Sequence, residues 1–150
     1  MRPVTESDED FLRALFAGTR QRELACLPGG DSAQALFLNS QFHAQRDSYR
    51  RCFPGANHDI IEVDGVPAGR LYVDRASEAM SLVDITLLPE YRGRGIGTRL
   101  VKALITEAAH AGCALKLHVA LSNPAQRLYQ RLGFRTIGSD GMYLSQALIP

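Results

Sequence analysis

The chain has 150 residues, 45% of them hydrophobic and 22% charged, and carries a formal net charge of +1 with its histidines neutral. That length suits one domain, residues 1–150, able to bury about two thirds of its unfolded surface. Near-neutral charge argues against a nucleic-acid or polyanion binder driven by overall electrostatics, so any charge recognition has to be local.

Taken in chain order, the first third reads helical. Ser7 with Asp10 makes a capping-box variant ahead of the stripe Phe11, Leu12, Leu15 and Phe16, which Gly18 ends. Thr19 to Leu27 reads as a second, short helix stopped by Pro28-Gly29-Gly30, and Asp31 can cap a third that runs to about Cys52, before Pro54-Gly55. The period then changes. His58 to Val63 and Val66 to Val73 are β-rich runs around Asp64-Gly65, a two-residue hairpin signal, and Met80 to Leu88 is a further strand. Ile96, Leu100, Val101, Leu104, Ile105 and Ala108 mark one face of a helix that ends before Gly112, and Leu115 to Ala120 returns as a strand. Asn123 and Pro124 open another helix that Gly133 closes, with Leu128 and Leu132 on one face and Tyr129 and Arg131 turned away from them. Arg135 to Gly138 and Met142 to Leu148 complete the sheet, and the last strand would offer an edge for homodimerisation unless covered. The order ααα-ββ-β-α-β-α-ββ predicts a mixed α/β fold in which residues 82–120 form a right-handed parallel crossover.

The acidic start, Met1 to Asp10, has no apolar h-region, and nowhere do 18 apolar residues run together, so the expectation is a cytoplasmic protein with no membrane segment. Cys26, Cys52 and Cys113 are widely spaced, without a Cys-x-x-Cys pair or a His cluster. Neither disulfides nor a metal site is expected, and all three read as free thiols in buried packing roles.

Two segments carry chemistry. In the first, Pro89-Glu90-Tyr91-Arg92-Gly93-Arg94-Gly95-Ile96-Gly97-Thr98, alternating glycines let the backbone turn sharply where a strand gives way to a helix. The first amides of that helix lack intrahelical acceptors and lie at the positive end of its dipole, so the turn suits a phosphate or pyrophosphate. Arg92, Arg94, Arg99 and Lys102 gather at this helix start, the unfavourable end for cations, which also points to an anion there. The spacing is neither that of a Gly-x-x-x-x-Gly-Lys loop nor that of a Gly-x-Gly-x-x-Gly fingerprint. The second segment is Asn123-Pro124-Ala125-Gln126-Arg127-Leu128-Tyr129-Gln130-Arg131-Leu132-Gly133-Phe134.

Arg92-Gly93-Arg94-Gly95-Ile96-Gly97 resembles the Arg/Gln-x-x-Gly-x-Gly/Ala acyl-CoA loop of the GNAT superfamily of N-acetyltransferases, and the second segment is similar to its Asn-x-x-Ala-x-x-Leu-Tyr-x-x-x-Gly-Phe signature. The resemblance covers roughly Ile60 to Leu148. It implies a mostly antiparallel sheet whose central parallel strand pair splays apart, flanked by helices. It also implies acetyl-CoA as co-substrate. The pantetheine arm would pair with main-chain groups of Leu87 and Leu88, and the pyrophosphate would meet amides of Arg94, Gly95, Ile96, Gly97 and Thr98, with Arg92 and Arg94 adding charge. Asn123 and Tyr129 would complete the cofactor side, and Tyr129 stands at the family's position for the acid that serves the leaving thiolate.

The implied reaction is attack of a primary amine, of a small molecule or a peptide, on a thioester. An alkylamine with a pKa of about 10.4 is protonated at neutral pH, and neutralising it costs roughly 4 to 5 kcal/mol, so a proton acceptor is needed. Asp84 interrupts an apolar strand beside the expected cleft and is the first candidate, while His118 on the strand opposite is the second. By position, Arg22 and Glu23 could meet the acceptor. Two further readings stand beside this one: a non-catalytic acyl-CoA-binding regulatory module, and a generic phosphate or nucleotide binder.

Overall fold

The computed structural model describes residues 1–76 and 78–149, with backbone alone at residues 22 and 23. Seven strands form one sheet in the order β1-β2-β3-β4-β5-β7-β6, antiparallel throughout except for the β4–β5 pair. The strands are β1 (Arg2–Pro3), β2 (Asn57–Val63), β3 (Val66–Arg75), β4 (Ala79–Leu87), β5 (Ala114–Ala120), β6 (Arg135–Ser139) and β7 (Tyr143–Leu148). The helices are α1 (Glu9–Thr19), α2 (Gln21–Ala25), α3 (Gly30–Cys52), α4 (Ile96–Ala111) and α5 (Ala125–Arg131). This is the mixed α/β arrangement that the sequence pattern predicts, with one short strand, β1, added at its edge.

Several local expectations are corrected. The capping box sits two residues earlier than Ser7 and Asp10: Asp8 Oδ2 accepts from the Thr5 amide at 2.8 Å and closes a short 3-10 turn, Glu6–Asp8, ahead of α1. Asp8 also takes two bonds from Arg2, at 2.8 and 2.9 Å, which ties β1 to that turn. α3 starts from Gly29 in the left-handed region (φ +102°), so Asp31 lies in its first turn and is not its cap. The cysteines are not buried, Cys26 and Cys52 being exposed and Cys113 half-buried. Nor is the last strand an edge, because β7 lies between β5 and β6 and the sheet ends at β1 and β6. In α5 the inward face centres on Tyr129, which is buried, whereas Leu128 and Leu132 are half-buried.

β3 is buried on both faces and sorts its side chains by alternation. Leu71 and Val73 join the main core with Val101, Leu104 and Ala108 of α4, each large apolar side chain there contributing about 1.5–3 kcal/mol. Arg70 and Tyr72 turn to the other face, toward α3. β4 changes faces midway. Its register on β3 passes from Val73↔Leu82 to Tyr72↔Asp84, which leaves Val83 as an extra residue. Such a bulge re-aims the side chains that follow it. Met80 and Leu82 before it, and Ile85 and Leu87 after it, all pack on the α4 core, while Asp84 and Thr86 face Arg70. Without the bulge, Leu82 and Asp84 would share a face.

Candidate active site

The bulge also marks where the sheet opens. Parallel pairing of β4 with β5 runs from Ala79↔Ala114 to Leu82↔Leu117 and stops there, although both strands continue. Beyond it lies a cavity of about 60 Å³ lined by residues including Asp84, His118, Asn123 and Tyr129. A larger cavity of about 420 Å³, mostly apolar, lies between α1, Leu24 of α2 and the end of β4, with Leu87, Leu88 and Arg92 in its wall.

At the end of β4 a 3-10 turn, Pro89–Tyr91, leads into the glycine turn. Gly93 (φ +74°) and Gly95 (φ +81°) lie in the left-handed region, and Gly95 caps α4. Arg99 N donates to Gly95 O at 3.0 Å as α4 begins. The amides of Ile96, Gly97 and Thr98 therefore precede the intrahelical ladder. Arg92 Nε donates to Leu87 O at 3.0 Å, and the Arg94 guanidinium lies 5.2 Å from the centre of the Tyr91 ring. The Leu88 amide donates to Ala68 O at 2.8 Å and its carbonyl accepts from Tyr91 N at 3.0 Å. Ladder alternation turns the amide of Leu87 to the opposite side of β4 from β3. Leu87 thus has a main-chain donor directed away from β3, while both polar groups of Leu88 are engaged within the protein.

Inside the opening, Tyr129 packs edge-to-face on Phe134, with ring centroids 5.8 Å apart. Burial pushes its phenol up to about 12, and the charge of Asp84 acts in the same direction. Asp84 is held from several sides. Its Oδ2 accepts from Arg70 Nε at 2.7 Å and lies 2.6 Å from Arg70 Nη2, and the Thr86 hydroxyl donates to Oδ1 at 3.1 Å. Arg70, itself buried, also donates to Gln45 Oε1 at 2.8 Å and lies 5.7 Å and 5.9 Å from the ring centres of Tyr49 and Tyr72. Burial pushes the Tyr49 phenol up to about 12 as well. His118 is exposed and shares a 3.1 Å hydrogen bond between Nδ1 and Ser145 Oγ. Asn123 Oδ1 accepts from the Ala125 amide at 2.9 Å, so its side chain caps α5.

The structure thus brings Asp84, His118, Asn123 and Tyr129 to one cavity and sets the glycine turn at the far end of β4. The side chains of Arg22 and Glu23 lie outside the described residues. Sequence reasoning missed Arg70, Gln45 and Tyr49. The available signal was a pair of charged interruptions, Arg70 and Asp84, in two neighbouring apolar strands joined through one sheet. Among the described residues no three His, Cys, Asp or Glu side chains group as a metal site, and no helix is long and apolar enough to cross a membrane.

A sheet opened between parallel neighbours, with a glycine turn and helix start at the strand's end, places a cleft beside a site suited to an anion. The sequence profile of the Acetyltransferase (GNAT) family matches residues 16–134, well over half of the chain, and the protein belongs to that family. It is 32% identical over 87 residues to a proposed ribosomal protein bS18-alanine N-acetyltransferase of Bacillus subtilis (strain 168), covering 57% of this chain and 58% of that one. It is 38% identical over 66 residues to thialysine N-epsilon-acetyltransferase of Mus musculus, covering 43% of this chain and 39% of that one. Both matches span less than two thirds of the curated relatives' length. The fold is similar to that of the PaiA N-acetyltransferase of Thermoplasma acidophilum in complex with coenzyme A, with a TM-score of 0.72 over 99% of this chain and 97% of that one at 15% identity.

Proposed function

We propose that the protein is a single-domain, cytoplasmic N-acetyltransferase that moves an acetyl group from acetyl-CoA to a primary amine of a small molecule or peptide by direct attack on the thioester. The observation that carries this reading is the placement of Asp84 and Tyr129 on one cavity at the opening between β4 and β5. Family membership and the similarity to a CoA-bound acetyltransferase support it.

In this reading the helix-start amides from Arg94 to Thr98, with Arg92 and Arg94, hold the pyrophosphate, and the Leu87 amide meets the pantetheine arm. That arrangement fits the donors present: three amides ahead of the α4 ladder and one main-chain donor turned away from β3. Acetyl-CoA supplies an activated carbonyl. The ammonium first loses one proton to solvent; the lone pair so freed forms the new C–N bond, the proton that the nitrogen then sheds passes to Asp84 directly or through water, and the C–S bond breaks with its electron pair on sulfur. Tyr129 serves that sulfur as a hydrogen-bond donor. Complete transfer from a phenol pushed up to about 12 to the thiolate, whose thiol is the stronger acid, would be uphill. The phenol therefore stabilises developing charge, and the thiol's proton comes finally from the proton the amine released.

The test is Tyr129→Phe. Turnover is expected to fall about a hundredfold or more, while acetyl-CoA binding followed by thermal shift stays as in the wild type. Unchanged turnover would remove Tyr129 from the chemistry. CoA binding without thiol release for any amine would favour the non-catalytic acyl-CoA-binding module, and stabilisation by ATP as well as CoA would favour the generic phosphate binder.

A further inference from the structure

We infer that Arg70 is a positioning residue for this reaction: clamped by Gln45 of α3 and flanked by the rings of Tyr49 and Tyr72, it fixes the Asp84 carboxylate against the opening of the sheet. The inference rests on the reading of Asp84 as proton acceptor and goes beyond it, to what holds that acceptor in place.

The geometry carries the argument. Arg70 presents Nε and Nη2 to the same carboxylate oxygen, at 2.7 and 2.6 Å, which leaves Oδ1 with the Thr86 hydroxyl as its partner. A planar guanidinium held by two contacts sets the orientation of a carboxylate in a way that a single point charge does not. Arg70 is itself immobilised, because its Nη2 also meets Gln45 Oε1 at 2.8 Å and two aromatic rings flank it. The chain of contacts runs from α3 through Arg70 to Asp84, so α3 contributes to the site through Arg70.

Charge around the pair decides what its loss does. Among the described residues, the titratable and charged groups near the pair are Arg70 and Tyr72 from β3, Tyr49 from α3 and His58 from β2, with His118 from β5 and Tyr129 from α5 at the opening. Arg20 and Tyr143 act on Tyr49 from further out, and Arg50 acts on His58. Arg70 is the cation in direct contact with Asp84. Removing that guanidinium leaves the carboxylate without its counter-charge and without the contacts that aim it at the opening.

The experiment compares kcat and KM against pH for the full chain as wild type, Arg70→Gln, Arg70→Lys, Gln45→Ala and Asp84→Asn. For Arg70→Gln kcat is expected to fall about tenfold or more across the pH range. KM for acetyl-CoA should stay within about twofold, since the helix-start anion site is untouched. Arg70→Lys should recover part of the kcat but not all of it, because the charge returns without the fork. Should Arg70→Gln give no cooperative melt, Gln45→Ala, which keeps the ion pair and removes its clamp, is expected to lower kcat with the same KM signature. An inactive Asp84→Asn beside wild-type kcat in the Arg70 and Gln45 variants would overturn the inference alone. A fully active Asp84→Asn would instead overturn the reading of Asp84, and the role of Arg70 with it.

Discussion

Gln146 has none of its surface exposed, and neither its amide oxygen nor its nitrogen has a hydrogen-bond partner among the described residues. It stands on β7 opposite Leu117 and Thr136, within the sheet and beside the main core. A buried amide without partners costs about 1–3 kcal/mol relative to one that is satisfied, whereas an apolar group of similar size leaves nothing unpaired. Gln146→Leu is therefore expected to raise stability by about 1–3 kcal/mol in urea unfolding. A lower midpoint would mean that the amide has a partner worth more than its burial costs. The contrast with Asp84 is instructive, because that carboxylate, in an equally apolar strand, is matched by an arginine from the neighbouring strand. From the sequence both residues read alike, as polar interruptions of apolar runs. What separates them is the register of strands distant in sequence, and a one-residue slip would exchange their faces.

Among the elements, those that announce themselves through local chemistry were legible. The hairpin at Asp64-Gly65 has both residues at positive φ (+53° and +76°), as a tight two-residue turn requires, and α4 begins at Ile96 as the motif places it. The elements that depend on distant partners were not. β1 is two residues long and exists because Arg2 and Pro3 pair with Ile60 and Asp59, and the bulge at Val83 has no signature of its own in the apolar run around it. That bulge determines which face receives Asp84, so half of the site's geometry lay outside local pattern reading. The glycine turn allows a test at this scale. Gly95 lies at φ +81°, where a Cβ is strained whatever room surrounds it, while Gly97 has ordinary helical geometry and an added Cβ would stand 3.9 Å from Ile85 Cδ1. Gly95→Ala is expected to cost about 1 kcal/mol of stability and to weaken CoA binding about tenfold or more, because the amides that follow it would be re-aimed. Gly97→Ala should bind CoA much as the wild type does and gain a few tenths of a kcal/mol from helix propensity. Equal losses in the two variants, read by thermal shift with and without CoA, would mean that the turn's backbone geometry is not what holds the ligand.

At the scale of the whole molecule, acid should loosen one end of the sheet first. His58 on β2 is stacked on Tyr72 with centroids 4.4 Å apart, its Nε2 is buried without a partner among the described residues, and burial, reinforced by the charge of Arg70, pushes its imidazole down to about 4. The unfolded chain takes up that proton near pH 6.5, and the folded protein does so only near pH 4. Across that window the unfolded state binds more protons, so stability falls as pH falls from about 6.5 to about 4. Asp8 acts in the next window. Its bonds from Arg2 and from the Thr5 amide hold its carboxyl well below the usual carboxylate range. Its contribution is fully present above the unfolded value of about 3.9 and is lost as pH drops below that toward the folded one. Both groups lie at the β1–β2 end, and β1 is joined to the sheet through β2. Melting temperature should therefore decline in two stages, with His58→Phe flattening the first and Asp8→Asn the second, the latter at the cost of a lower melting temperature at neutral pH. Hydrogen exchange at about pH 4.5 should find the amides of β1 and β2 opening before those of α4 and β5, since the proton-linked loss in that range belongs to His58. If α4 opened as early as β2, the acid response would be global unfolding, and the assignment of the first stage to His58 would fail.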